Sequence, residues 1–419
     1  GEYSFKSGIT FSTVTSGEFG ARFSPSGFLF DATGSMGFSN NNDQLLFVLS
    51  LLNSVVSKYY FLALAPTIHY KLNKIMAIPA ILKREKEIVN LTKECIRITE
   101  NDWNSLETAW DFKKHVFLRD VINIKKISDA YENWEKESES LFRQLKSNEE
   151  SLNKIFIEIY NLETELSSEV DDKNISIRKA DKESEIKSFI SYAIGCSFGR
   201  FSLDYEGIVY AGGIFNSSSY KTFAIEEDNI IPILPSAYFT DDIVKKFIDF
   251  VRISFGEEYL EENLDFICSV IGRKKNETTR ELLRRYFLND FYKDHVQVYK
   301  KRPIYWLFTS GKEKAFNCLI YMHRYDKTTL SRIRTDYLHE VQIRMDAEKR
   351  DLLNIIEGDS TTKEITNARK ELKSLDKKID ELKAYDELLH HKADQQIEID
   401  LDDGVAVNYA KFEGLVAKI

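Results

Sequence analysis

The sequence predicts an α+β fold: a β-rich unit at the start, helical spacers, and a coiled-coil helical hairpin towards the end. Three observations lead there. Only 6 prolines and 18 glycines occur in 419 residues, so few breakers interrupt long helices. The 28 Phe and 21 Tyr supply bulk for more than one core, and they gather where β-type runs occur. Finally, Ile365, Ala368, Leu372, Leu375, Ile379 and Leu382 alternate spacings of three and four, which is a helical seam. With 43% hydrophobic and 30% charged residues, the composition excludes a disordered or membrane-embedded chain. At about 100–200 residues per domain, the length corresponds to two to four domains. The divisions read from the sequence are 1–80, a helical 81–200, an α/β segment 201–327 with a basic hairpin, the helical hairpin 328–395, and a tail 396–419.

In the first segment, Ile9–Ser12 and Gly27–Phe30 have the character of strands, with Ser24-Pro25-Ser26-Gly27 as the turn between them. The apolar stretch from Leu45 to Ala65 is long enough to suggest a membrane span. However, Ser50, Asn53, Ser54 and Ser57 fall at helical spacing beside Lys58, so one buried amphipathic helix is the better expectation. Ile78-Pro79 closes this segment. Tyr131, Trp134, Leu141 and Leu145 mark one helix face, and Leu152, Ile155, Phe156 and Ile159 another. Ser147 and Glu150 have the spacing of a capping box, which would start a helix there. A helix from Asp181 ends in Gly195–Arg200, small enough for close packing.

Charge segregates after that. Residues 199–270 hold 5 basic and 13 acidic side chains, and residues 271–336 hold 16 basic and 7 acidic, inside a chain of net charge −9. For an anionic partner the local field matters more than the average. Within the basic stretch, Pro303–Phe308 and Ala315–Tyr321 read as a β-hairpin around Ser310-Gly311, ringed by Lys300, Lys301, Arg302, Lys312, Lys314 and Arg324. Tyr305, Trp306 and Phe308 are read as strand core in preference to a base-stacking platform. In the helical hairpin, Gly358–Ser360 makes the turn and Thr361 or Thr362 the N-cap. Ile397, Ile399 and Leu401 suggest an edge strand in the tail.

Catalytic signatures are missing from this sequence. No Pro-Pro dipeptide provides the loop that holds a flipped base for amino methylation, and Gly212-Gly213 lacks a strand–turn–helix context for a cofactor. Nor does a P-loop, a nucleophile elbow, a zinc-protease motif or a nuclease carboxylate cluster stand out. His390-His391 with Asp386 and Asp394 is read as a solvated helix end, and Asp400–Gly404 fails the spacing of a calcium loop. Neither metal nor cofactor is therefore expected in this chain. Cys95, Cys196, Cys268 and Cys318 lie far apart, which fits free thiols in a reducing cytosol. The chain opens at Gly1 without Met, as a processed or truncated chain would.

Three stretches together resemble one family. Residues 8–38, with Leu45–Phe61 and Lys74–Ile81, are similar to the specificity region of TaqI/Eco57I-type DNA methyltransferases, where β-hairpins precede a Leu51-Leu52-Asn53-Ser54 helix and an Ile78-Pro79 strand. Residues 148–162 with 177–213, and residues 299–338, resemble the C-terminal part of PglX, the adenine-specific DNA methyltransferases of BREX phage-defence systems. The resemblance implies a target-recognition region for double-stranded DNA. It also implies an N-terminal methyltransferase domain outside this chain, with S-adenosylmethionine as that domain's cofactor, and a cytoplasmic location. Within this frame, short polar side chains on loops suit base edges: Thr13, Ser16, Arg22, Asn40, Asn41, Asn216 and Ser218. Lys71, Lys74, Arg200, Lys221, Lys300, Lys301, Arg302, Lys312 and Lys314 suit phosphates. The alternative expectation is an interaction scaffold for other BREX proteins or a phage DNA-mimic inhibitor, which the acidic net charge favours.

Overall fold

The structure, a computed structural model, describes residues 2–31, 33–65 and 68–419, and is about 53% helical with two small sheets, broadly α+β. It divides into two compact units, residues 1–104 with 135–180 and residues 105–134 with 181–419.

The first unit opens on an antiparallel sheet. Strand β1 (Gly8–Ser12) lies between β2 (Ala21–Ser24) and β3 (Gly34–Gly37). Successive side chains of a strand point to opposite faces. Ile9, Phe11 and Ala21 therefore turn inward and are buried, while Thr10, paired with both Arg22 and Met36, lies in a row across the other face. The expected strand over Gly27–Phe30 does not form. Gly27 takes a φ of 100° in a turn, and Phe28, Leu29 and Phe30 follow as exposed loop. The pairing partner is Ala21–Ser24 instead, because its Ala21 fits the core opposite Phe11.

The expected single apolar helix is two: α1 (Asn42–Asn53) and α2 (Val55–Leu64), bent by 66°. The serine stripe explains the break. Ser54 adopts an extended conformation and caps α2, accepting from the Ser57 amide, while the hydroxyls of Ser54 and Ser57 both donate to Leu51 O at 2.7 and 2.6 Å. Side chains that satisfy the last carbonyls of one helix and the first amide of the next favour the bend over continuation. Among the described residues no single helix is long and apolar enough to cross a membrane; the bent pair passes by length and composition alone. Asn53 joins sheet to helix, its Oδ1 accepting from Ala21 N (2.8 Å) and its Nδ2 donating to Ala21 O (3.0 Å). After a short α3 (Leu72–Ile75), α4 (Glu85–Asn104) and α5 (Ile127–Tyr160) complete the layer. Phe47 and Phe156, both fully buried, meet edge-on at 5.6 Å. Because α5 runs unbroken for 34 residues, Ser147 starts no helix; its carbonyl accepts from the Ser151 hydroxyl within the run. An apolar cavity of about 220 Å³ lies between β1, α1 and α3, lined among others by Phe11, Leu52, Leu72 and Met76.

In the second unit, α6 (Lys182–Ser197) starts at the Asp181 N-cap as the sequence predicts. Its Gly195 is obligatory in that packing: a Cβ there would lie 2.6 Å from the Phe201 ring and 2.8 Å from the Tyr305 hydroxyl. Strand β4 (Ile231–Pro232) and helices α7 (Ile243–Phe255), α8 (Leu260–Ile271), α9 (Thr279–Asn289) and α10 (Phe291–Val298) follow. The expected hairpin forms from β5 (Tyr305–Thr309) and β6 (Asn317–Tyr321), in register Trp306 with Ile320, and β6 also pairs with β4. Every residue of β6 is buried, and Tyr305, Trp306 and Phe308 are fully so, as read from their spacing.

Short α11 (Thr329–Arg332) runs through a π-helical turn, Ile333–Leu338, into α12 (His339–Glu357). Helix α13 (Thr362–Asp394) returns along α12 after the turn at Gly358, with Thr361 and Glu364 forming a capping box. Ala368, Leu375, Ile379 and Leu382 of the expected seam are buried, and Ile365 and Leu372 are half-buried. The tail contradicts its reading. Residues 397–401 form no strand; α14 (Val405–Ala410) follows them, and it is Val416 that bridges to Phe308 of β5.

Candidate nucleic-acid interface

Packing determines which polar side chains remain free to meet a ligand. On the first sheet, the exposed guanidinium of Arg22 makes one contact, donating to Ala21 O at 2.9 Å, and has no ion-pair partner among the described residues. Thr10 and Met36 flank it across the sheet. Neither was picked out from the sequence, although the alternation Ile9-Thr10-Phe11 carries the signal. Beyond β1, the chain is pinned by its backbone: Tyr70 N donates to Thr13 O at 2.8 Å and Thr15 N to Ile68 O at 3.1 Å. Thr13 is half-buried, while Ser16 and Asn40 are exposed. Asn41 serves a structural purpose instead, its Oδ1 accepting from Asp43 N and Gln44 N to cap α1. Lys71 is exposed and Lys74 half-buried, both without ion pairs. Behind this sheet, burial raises the Glu149 carboxyl to about 7, against the lowering pull of Lys58 and Arg22.

The charge segregation in the second unit has a mostly internal explanation. Arg273 pairs with Asp265 at 2.6 Å, Arg284 with Asp242 at 2.7 Å and Arg280 with Glu261 at 3.8 Å, so the basic segment largely neutralises the acidic one. Arg285 holds Glu277, and its hydrogen bond to that carboxylate drives the Glu277 pKa down to about 2. Arg324 donates to the carbonyls of Phe198, Glu226 and Glu227. Lys314, expected at a phosphate, instead caps the end of α9 through Leu288 O and Asn289 Oδ1. Arg200, also expected at a phosphate, is buried, with Nη1 donating to the Tyr321 hydroxyl at 3.2 Å. Asn216 and Ser218 satisfy each other, the Ser218 amide and hydroxyl both donating to Asn216 Oδ1.

Even the tip of the β5–β6 hairpin is occupied. Glu381 of α13 accepts from the Ser310 hydroxyl and from the amides of Glu313 and Ala315, where a phosphate could otherwise sit.

What stays free is a short turn. Lys300 and Lys301 have φ of 50° and 62°, and both side chains, with that of Arg302, are exposed and without ion pairs among the described residues. Consecutive left-handed residues other than glycine cost about 1–2 kcal/mol each, so the surroundings must impose them. His295 does so from within. Its Nε2 accepts from both Ile304 N and Tyr305 N at 3.1 Å, while Lys301 N closes back on Val296 O. Lys312 and Lys221 are further exposed cations without ion pairs. Among the described residues no group of three or more His, Cys, Asp and Glu is placed to hold a metal ion.

No family model matches the chain. Similarity to curated proteins runs along almost all of it. The chain is 42% identical over 417 residues to an adenine-specific methyltransferase, PglX, of Lacticaseibacillus casei (strain Zhang), covering 98% of this chain and 35% of that protein. It is 38% identical over 444 residues to an adenine-specific methyltransferase, BrxX, of Escherichia coli O9:H4 (strain HS), covering 99% of this chain and 36% of that protein. The chain thus spans about a third of the length of the curated relatives it matches, and is related to part of each.

Proposed function

We propose that the chain is the target-recognition region of a longer adenine-specific DNA methyltransferase of a BREX phage-defence system. In this reading it grips double-stranded DNA and reads a short site. A methyltransferase portion outside the chain transfers the methyl group of S-adenosylmethionine to adenine N6. The observation that carries the reading is the solvent face of the first sheet, where Arg22 stands free between Thr10 and Met36 in a unit whose other face is core. A guanidinium held on a rigid strand is suited to the paired acceptors of guanine in the major groove. Ser16 and Asn40 add exposed polar groups on the loops flanking the strands, and Lys71 and Lys74 add charge. In the second unit, the turn at Lys300–Arg302 and Lys312 supply phosphate contacts, which set grip and register without reading sequence. The TaqI/Eco57I-like arrangement of hairpin, Asn53-Ser54 helix and closing Ile78-Pro79 belongs to the same reading.

Fluorescence anisotropy of this chain on random duplex DNA tests it. Binding that weakens steeply between about 50 and 200 mM salt is expected if several cations meet phosphates. Absence of binding at the lower salt would sink DNA gripping by this chain and favour the scaffold reading, in which partner proteins are the ligands.

A further inference from the structure

The second unit contains a concentration of buried polar atoms that the proposed DNA contacts do not use. Fourteen buried side-chain nitrogen and oxygen atoms have no hydrogen-bond partner within the protein, and six belong to one neighbourhood around Arg200: Glu107 Oε2, Arg200 Nε, His295 Nδ1, His323 Nδ1 and the hydroxyls of Tyr299 and Tyr305. The group is physically continuous. The His295 ring lies 4.6 Å from that of Tyr299 and 4.7 Å from that of Tyr305, and Tyr321 packs 5.7 Å from Tyr305 and 4.8 Å from His323. Arg200 reaches Tyr321 directly, and its charge is felt by Glu107, His295, His323, Tyr299 and Tyr305. Glu107, Arg200, His295 and Tyr305 are each more than nine-tenths buried.

A buried polar atom left unpaired costs about 1–3 kcal/mol, so six in one place require something to pair with. The protonation pattern narrows what that is. His295 Nε2 already accepts from two backbone amides, and burial keeps the ring neutral, so its proton is on Nδ1 and that atom is a donor. Arg200 Nε is also a donor. Glu107 Oε2 is an acceptor, since Oε1 is taken by the Ser191 hydroxyl at 2.7 Å. A guest must therefore accept from Arg200 and His295 while donating to Glu107. An anion cannot donate, and Glu107 would repel it. Water does both, and buried waters typically make about three hydrogen bonds to such groups.

We propose that the Arg200 neighbourhood is a built hydration site, in which enclosed water links Arg200 Nε and His295 Nδ1 to Glu107 Oε2 and to the hydroxyls of Tyr299 and Tyr305. The site joins the end of α6, the end of α10 and the start of β5. It thereby backs the turn that carries Lys300 and Lys301 and is part of what holds their left-handed backbone.

Two measurements decide it. In a high-resolution crystal structure, ordered solvent within hydrogen-bond distance of both Arg200 Nε and His295 Nδ1 is expected. Direct protein pairs at those atoms, with no solvent, would overturn the site. Independently, Tyr299→Phe and Tyr305→Phe give a test by sign. A hydroxyl bonded to water is a loss when removed, and each variant lowers the thermal midpoint by about 2–4 °C per kcal/mol lost. A hydroxyl that is merely stranded is a gain when removed, so an unchanged or raised midpoint in both variants would overturn the proposal. Neither readout depends on DNA binding, so the site stands or falls apart from the proposed function.

Discussion

The two sheets of this chain have the same size and the same antiparallel pairing, yet opposite surroundings. In the first, β1 alternates buried Ile9 and Phe11 with an outward Thr10, so one face is core and the other is free. In the second, β6 is buried at every residue and β5 at Tyr305, Trp306 and Phe308. The difference shows why a basic hairpin is a poor guide to a ligand surface. The lysines around β5 and β6 lie at its ends, where Lys314 is used in capping and Glu381 fills the tip. The plain first sheet, with a single arginine, is the one with an open face.

Deep truncation on each sheet gives the largest contrast. Trp306→Ala should lower the unfolding free energy by about 3–5 kcal/mol in urea titrations, the range for emptying an aromatic core position. Thr10→Ala on the open face should stay within about 0.5 kcal/mol. Comparable losses at both positions would mean that the first sheet is covered too. Next in size is the joint beneath that sheet. Asn53→Ala removes both bonds to Ala21 and should cost about 1–3 kcal/mol, because the Ala21 amide and carbonyl are left in a part-buried place. Asn53→Asp keeps the acceptor and loses the donor, so its measured cost should fall between.

These joints also mark how far the sequence could be read. The β5–β6 hairpin was legible because aromatic alternation and Ser310-Gly311 are local signals, and so was the Thr361–Glu364 capping box. The bend at Ser54 was not, since a serine stripe at helical spacing looks the same whether it faces solvent or closes one helix and caps the next. Arg200 escaped for a different reason. Its surroundings, Glu107, Tyr299 and Tyr321, are distant in sequence, and nothing beside Arg200 announces burial. Among base-reading candidates, Arg22 was visible as the one cation near the strands. Asn41, Asn216 and Ser218 looked equivalent to it until their caps and mutual bonds were seen.

The units should also differ in their response to pH. Glu149 in the first is raised from 4.5 to about 7 by burial, so the folded state holds its proton more tightly than the unfolded one. Its contribution is full below pH 4.5 and is lost as pH rises towards 7. Glu149→Gln should flatten this part of the profile and stabilise the chain most near neutral pH. In the second unit, burial lowers His323 from 6.5 to about 4 and His295 to about 3. The folded state there binds fewer protons, so that contribution is present above pH 6.5 and declines as pH falls through the interval to 4 and below. Urea titrations across pH 4–8, with His323→Gln beside Glu149→Gln, separate the two. A Glu149→Gln profile parallel to the parent's would refute the buried-carboxylate assignment.

The finest distinction is between reading and gripping, and it needs DNA. Lys301→Ala should weaken binding to all duplexes about equally and reduce the salt slope by about 1, as expected when one phosphate contact is lost. Arg22→Ala should leave binding to random duplex nearly unchanged, because a base reader adds little where its base is absent. On the recognised site its loss should cost about 1–3 kcal/mol and relax the preference at one position. Lys301→Gly sharpens the comparison further. Glycine accepts a φ of 62° without strain, so this variant removes the charge while easing the backbone. If it loses as much affinity as Lys301→Ala, the turn acts through its cation. If it loses more, the strained backbone itself holds the neighbouring cations in place, and the rigidity imposed through His295 is part of the grip.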